Sequence, residues 1–278
     1  MFAVIVNPVS GGGEAMKLAQ RVMQRLDKDG RESRLFETGG EGDAARQIRS
    51  AVEAGYSSVV CIGGDGTLCE AVDELCYQNV TLYVVPGGTG NDFARAFGLP
   101  KDPLVQIDCG RVNGRGFLNV SGSGFDVDVL QKTEELKKVY AGEKAYHKAV
   151  ISVLRRYKAF EAELSVDGKP ATHEACTIIE IANGQYIGGG MRVAPEAEMD
   201  DGMFDVVVVR KVPRLCIPFL LPLFMLGWHT KLGLARVMRA KRVSLRAKGM
   251  TLNVDGKLVT ADHADYELLP GAIRMMRP

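Results

Sequence analysis

The 278-residue sequence has no long apolar run, no excess of charge of either sign and no paired cysteine motif. Its most apolar uncharged stretch, Leu215 to Trp228, carries Pro218 and Pro222. A bilayer-spanning helix needs about 20 residues, so this shorter, proline-broken stretch is not one. A formal net charge of +1 gives no polyelectrolyte signal for nucleic acid, and any attraction to a membrane has to be local. The cysteines Cys61, Cys69, Cys76, Cys109, Cys176 and Cys216 include no CxxC pair and no histidine at metal-ligand spacing. They read as reduced core residues, with Cys69 and Cys76 as packed thiols on one helix face. The start, FAVIVN, is strand-like and lacks a basic leader and a cleavage site, so a cytoplasmic location is expected. What remains is ordinary: 46% hydrophobic and 25% charged residues are globular values, and the length suits two moderate domains.

The chain is organised around Val59 to Glu70, VVCIGGDGTLCE. An uncharged run rich in Val and Ile stops at Gly63-Gly64, and a carboxylate, a third glycine, a hydroxyl and a helical pattern follow. Gly63, Gly64 and Gly66 lack the Cβ that would hold an anion away from main-chain amides near a helix N-terminus. Asp65 does not bind bare phosphate, but suits a divalent cation that accompanies it. The competing reading is a plain glycine turn with Asp65 as a helix cap.

The same unit recurs on both sides. Phe2 to Val6 runs into Asn7-Pro8-Val9-Ser10 and three glycines, then a helical pattern from Glu14 to Leu26. A weak strand from Arg34 to Glu37 leads to Thr38-Gly39-Gly40, and helical spacing resumes from Asp43 to Val52. Leu82 to Val85 runs into Pro86-Gly87-Gly88-Thr89-Gly90-Asn91-Asp92-Phe93-Ala94-Arg95. Repeated strand–helix order implies a parallel sheet flanked by helices. Its glycine turns share the carboxyl edge where ligands bind, so Asn7, Asp65, Thr89 and Asp92 should converge. Arg95 suits a phosphate or a neighbouring carboxylate equally.

Beyond Pro100 short strands without regular intervening helices are expected: Gln106–Val112, Gly116–Val120, Glu161–Val166, Thr177–Ile181, Phe204–Val209, Arg242–Arg246 and Met250–Val254. A mostly antiparallel second domain follows, interrupted by a basic helix over Val139 to Tyr157. Asp200-Asp201-Gly202 reads as an Asx turn or as a hard-cation loop. Asn253-Val254-Asp255-Gly256-Lys257 ends a strand in a turn, and Asp-Gly by itself is also a hairpin signal. Leu215 to Trp228 reads as a helix over the second core; its functional reading is an exposed end that meets a bilayer or an acyl chain, with Phe219, Phe224 and Trp228 as marker residues. His229 and Lys231 flank it.

NPVSG (Asn7 to Gly11), GGDGTLCE (Gly63 to Glu70), PGGTGNDFAR (Pro86 to Arg95), NVSGSGFDVDV (Asn119 to Val129), NGQYIGGG (Asn183 to Gly190), DDGMFDV (Asp200 to Val206) and VDGK (Val254 to Lys257) together resemble the bacterial diacylglycerol kinase and sphingosine kinase-like lipid kinases, in order and over nearly the whole chain. The resemblance implies an α/β nucleotide-binding domain of the NAD kinase/diacylglycerol kinase type over residues 1–120, and a mostly antiparallel β-sandwich lipid-substrate domain over 121–278. It further implies ATP and Mg²⁺ as cofactors. By position, Asn7, Pro8, Val9, Ser10, Gly11, Thr38, Gly64, Asp65, Gly66, Thr67, Leu68, Cys69, Glu70 and Thr89 would bind ATP. Asp65, Asp92 and Asp126 would organise the catalytic Mg²⁺ and its waters. A second, structural Mg²⁺ would take the Asp201 side chain with the carbonyls of Glu198 and Met203.

One departure matters: Lys257 stands where such kinases usually carry a Glu assigned as proton acceptor. A protonated Lys cannot serve, so Asp255 becomes the expected base. The expectation is then an ATP- and Mg²⁺-dependent kinase acting on a lipid hydroxyl, diacylglycerol first, at the inner face of a membrane. An NAD kinase, or a nucleotide- or lipid-binding protein with weakened catalysis, is the alternative. Strand-rich second domains can pair by their edges, and a homodimer of that kind stays open.

Overall fold

The computed structural model describes residues 1–96, 104–140 and 143–276. The change of pattern read at Pro100, and positions 141 and 142 of the expected basic helix, lie outside these. The chain divides into two compact units. One holds Met1–Leu118, Met199–Gly202 and the chain from Leu269; the other holds Asn119–Glu198 and Met203–Leu268.

In the first unit β1 (Phe2–Val6), β2 (Ser33–Glu37), β3 (Ser58–Gly63) and β4 (Thr81–Pro86) form a parallel sheet in the order β2-β1-β3-β4. The alternation of a strand explains its two covered faces. Phe2, Val4 and Val6 pack with Ala15 and Ala19 of α1 (Glu14–Lys28). Ala3 and Ile5 turn to the other side, against Ile48 of α2 (Asp43–Glu53) and Leu68 and Ala71 of α3 (Asp65–Leu75). A strand buried on both faces has to be apolar throughout, which is why these runs carried no polar alternation. After α4 (Asp92–Ala96) come β5 (Leu104–Val112) and β6 (Arg115–Phe117).

The second unit is antiparallel, as expected. Its strands are β7 (Val120–Gly124), β8 (Phe160–Val166), β9 (Thr172–Ala182), β10 (Phe204–Arg210), β11 (Arg236–Ala240), β12 (Arg242–Val254) and the first part of β13 (Lys257–Met276). β7 and β8 both lie between β9 and β12, each pairing with a different stretch of them.

Three expectations need correction. One helix more than expected intervenes: α5 (Phe125–Lys137) joins the expected basic helix, α6 (Glu143–Arg156), between β7 and β8, while the expected apolar helix is α7 (Ile217–Met225), followed by α8 (Trp228–Lys231), before β11. Arg242–Arg246 and Met250–Val254 belong to one strand whose register breaks between Arg246 and Met250, where Gly249 takes a left-handed φ of 63°. β13 was not read at all, because Asp262, His263, Asp265, Pro270 and Gly271 interrupt its pattern. Its end, Arg274–Met276, runs parallel to β4.

Candidate active site

The turns after β1, β3 and β4 meet, backbone against backbone. A Cβ on Gly11 would stand 2.5 Å from the Gly87 carbonyl oxygen, and one on Gly88 would stand 2.4 Å from Gly64 Cα. Gly63 is equally constrained, its Cβ position being 2.6 Å from Thr67 Oγ1. Gly11, Gly64 and Gly88 therefore serve the approach of one turn to another, and Gly63 makes room for Thr67. Around Gly66 nothing lies within 4 Å, which leaves this glycine, of those after β3, open to a ligand.

Asn7 builds the first turn. Its amide donates to the Ile62 carbonyl (3.1 Å) and its Oδ1 accepts from the Val9 amide (3.2 Å). Its Nδ2 reaches Thr67 Oγ1 at 3.4 Å, which ties the β1 turn to α3. Thr38 is buried at the end of β2, its amide donating to the Val6 carbonyl at 2.9 Å. Thr89 and Val9 are exposed.

At the start of α3 the amides of Thr67 and Leu68 both donate to the Gly64 carbonyl, at 3.1 and 3.2 Å. The donors that precede the first intrahelical bond belong to Asp65 and Gly66. Of the expected nucleotide contacts, Leu68 and Cys69 have buried side chains, and the Leu68 amide is already used.

Asp65 does cap a helix, but not its own. Its carboxylate accepts from the amides of Asp92 (3.0 Å) and Phe93 (3.1 Å) at the start of α4, satisfying donors that a helix start leaves without partners. Asn91 closes the same turn by exchanging bonds with Gly88, accepting from its amide at 3.0 Å and donating to its carbonyl at 2.8 Å. Arg95 resolves toward carboxylate: Nε lies 4.0 Å from Asp92 Oδ1, and Nη2 donates to the Gly90 carbonyl. Asp65 and Asp92 thus come together as expected.

Asp126 belongs to the second unit, in the first turn of α5. Its partner there is Glu180 of β9, a residue the sequence reading missed. Glu180 is wholly buried. Burial, and then the negative charge of Asp126, push its carboxyl well above the usual range; burial also raises Asp126. Two carboxyls raised together in a buried setting favour keeping a proton on the pair. The signal available was a single Glu inside the apolar run TIIEIA.

A pH dependence follows. The folded state keeps a proton on this pair that the unfolded chain releases near 4.5, so the pair lowers stability progressively as pH rises from there toward its raised folded value. Glu180→Gln removes that proton linkage. Its melting temperature, measured from pH 4 to 9, should gain on the native protein as pH rises and lose the gain at the acid end. Parallel curves would refute the shared proton.

The structure gives Asp255, the expected base, a structural part as well. It sits in the β12–β13 turn with φ 45°. Oδ1 accepts from the amides of Val120 (2.9 Å) and Asn119 (3.1 Å), and Oδ2 from Asn119 (3.2 Å), while its own amide donates to the Val120 carbonyl. Protonation of this carboxylate would weaken the bonds that hold β7 to the turn. Asp255→Asn should therefore cost about 1–3 kcal/mol of stability in chemical denaturation and lower kcat less than tenfold. A thousandfold loss of kcat at native stability would return the base to Asp255.

The loop from Glu198 to Met203 is anchored by another residue that the sequence did not reveal. Asp108 in β5 is buried; its Oδ2 accepts from the Gly202 amide and its Oδ1 from the Gly271 amide, both at 2.7 Å. Burial pushes its carboxyl upward. Asp201, next to Gly202 in sequence, is half-buried, and Glu198 is exposed. Among the described residues no three His, Cys, Asp or Glu side chains form a metal-holding group. The hard oxygen donors of Asp65, Asp92 and Asp201 nevertheless suit Mg²⁺, which retains several waters and needs few direct protein ligands.

Glycine turns on the edge of a parallel sheet, followed by an antiparallel unit, define a fold shared with nucleotide-using kinases. An NAD kinase from Archaeoglobus fulgidus, solved in complex with ATP, superposes with a TM-score of 0.55 at 14% identity, over 99% of this chain and 93% of that one. A diacylglycerol kinase from Bacillus anthracis superposes with a TM-score of 0.75 at 21% identity, over 100% and 96%. Residues 1–113 match the diacylglycerol kinase catalytic domain, and residues 119–277 match the YegS C-terminal NAD kinase beta sandwich-like domain. A diacylglycerol kinase of Mycobacterium tuberculosis is 30% identical over 291 aligned residues, covering 99% of this chain and 94% of the relative. The chain belongs to the diacylglycerol kinase family of lipid kinases.

Proposed function

We propose that this chain transfers the γ-phosphoryl group of ATP to the hydroxyl of a membrane lipid, with diacylglycerol as acceptor and phosphatidic acid as product. The observation that carries this reading is the meeting of the turns after β1, β3 and β4 beside the open Asp65 and Gly66 amides of α3, the donor arrangement that a nucleotide phosphate requires. Family membership supplies the kinase class; the acceptor is taken from the activity named for the mycobacterial relative.

In this reading the first unit binds ATP and the second the lipid. Asn7 to Gly11, Thr38 and Thr89 frame the nucleotide, and the amides of Asp65 and Gly66 orient its phosphates. Bound Mg²⁺ would neutralise phosphate charge, held through water by Asp65 and Asp92. A second ion would rest on Asp201 with the carbonyls of Glu198 and Met203. Phosphoryl transfer depends on positioning and charge neutralisation, with modest demand on a base, so Lys257 at the usual Glu position is compatible with turnover. The enzyme would work peripherally, at the cytoplasmic face of the membrane. Among the described residues no helix is long and apolar enough to cross one.

The test is transfer of labelled γ-phosphate from ATP with Mg²⁺ to diacylglycerol, monoacylglycerol, sphingosine, ceramide, undecaprenol and NAD, the lipids in mixed micelles. Labelled phosphatidic acid is the expected product. Label on NAD alone, or tight ATP binding without transfer to any acceptor, would overturn the reading.

A further inference from the structure

Although the whole chain carries a net charge of +1, its charges are segregated. From Val206 to Val254 there is no Asp or Glu, while Arg210, Lys211, Arg214 and Lys231 flank the apolar stretch and Arg236 to Lys248 add six more cations. Within this segment α7 and its flanks turn apolar side chains outward. Leu215, Phe219, Pro222 and Leu226 are spaced by four, three and four residues, which is one helix face, and all are exposed, Phe219 at 79%. Trp228 at 54%, with Leu232 beyond it, extends the exposed set.

The opposite side of α7 is fixed. Phe224, read from sequence as a surface marker, is 4% exposed and stacks on His229 with ring centroids 3.9 Å apart. His229 is wholly buried, with Nε2 2.9 Å from the Val193 carbonyl oxygen, and burial holds its ring below the usual imidazole range. It is therefore a packing group and not the flanking cation that its position suggested. The exposed face is carried on a packed base.

We propose that this face of α7 and α8 docks on the anionic surface of a phospholipid bilayer. Charge decides the occupant. Arg210 and Arg236 are held by Glu174, but Lys211, Arg214 and Lys231 make no ion pair among the described residues and border the apolar face. A second copy meeting this face two-fold would bring cations against cations, with no carboxylate in the segment to answer them. Anionic headgroups answer the Lys and Arg, and the acyl boundary takes Phe219 and Leu226, with Trp228 at headgroup depth. The proposal deepens the lipid-kinase reading by naming how the enzyme reaches its acceptor, and vesicle binding tests it without turnover.

Trp228 is the single tryptophan of the chain, so it reports on this face alone. With vesicles of phosphatidylglycerol and phosphatidylcholine its emission should shift to the blue and the protein should sediment with them. Phosphatidylcholine alone should give neither effect. High salt should weaken binding, and Phe219→Ser with Leu226→Ser should lower partitioning about tenfold or more at unchanged melting temperature. An unshifted Trp228 emission in a protein that still phosphorylates lipid in micelles would overturn the docking face and leave the kinase standing. Vesicle binding with the shift, but no transfer to any lipid, would do the reverse. A dimer broken by Phe219→Ser, with no response to vesicles, would assign the face to a second copy and also overturn the proposal.

Discussion

Asp65→Asn is expected to lower kcat below about one thousandth of native and also to weaken the fold. Each carboxylate oxygen has a defined task, one on the Asp92 amide and one on the Phe93 amide. An Asn keeps one acceptor for one of these donors and turns an NH₂ toward the other, at a cost of about 1–3 kcal/mol. The removed charge is also the one proposed to organise Mg²⁺ at the phosphates, and losing it acts on the reaction itself. Kinase assay beside chemical denaturation separates the two effects. A variant destabilised by this amount that kept near-native turnover would make Asp65 a helix cap and nothing more.

Gly66→Ala and Gly88→Ala should fail in opposite ways. Around Gly66 nothing lies within 4 Å of an added Cβ, and within α3 alanine is favoured over glycine by up to about 1 kcal/mol. The variant should fold with native or higher melting temperature. A methyl group there stands where a phosphate would approach the amide, so kcat/KM for ATP should fall about a hundredfold. At Gly88 the added Cβ falls 2.4 Å from Gly64 Cα and 3.0 Å from its nitrogen. Backbone cannot rotate aside as a side chain does, and a loss of about 1–3 kcal/mol or more is expected. Calorimetric titration with ATP and thermal melts of both variants check this pair. A Gly66→Ala enzyme with native ATP affinity would remove the phosphates from that amide.

Much of the first unit was legible because its signals are local. A strand, a glycine turn and a helical pattern lie within a few residues of one another, and their repetition alone implied a parallel sheet with ligand turns on one edge. The division of labour among the glycines was not legible. Gly63, Gly64 and Gly66 look alike in sequence, yet two are used up by Thr67 and Gly88 and one stays open. Phe219 and Phe224 posed the same difficulty: both lie in one apolar run, and only the seat of α7 turns one outward and the other onto His229.

The sequence by itself determined the strand–helix order from β1 to β4, the position of the glycine turns, the globular composition and the family resemblance, since each rests on neighbours along the chain. Tertiary structure alone decided what the acidic residues do. Asp255 accepts from amides at Asn119 and Val120, Asp108 fixes Gly202 and Gly271, and Glu180 faces Asp126 across separations that no periodicity encodes. A carboxylate's chemistry is set by the donors, charges and burial around it, and these arrive from distant strands only when the register of the sheet is fixed.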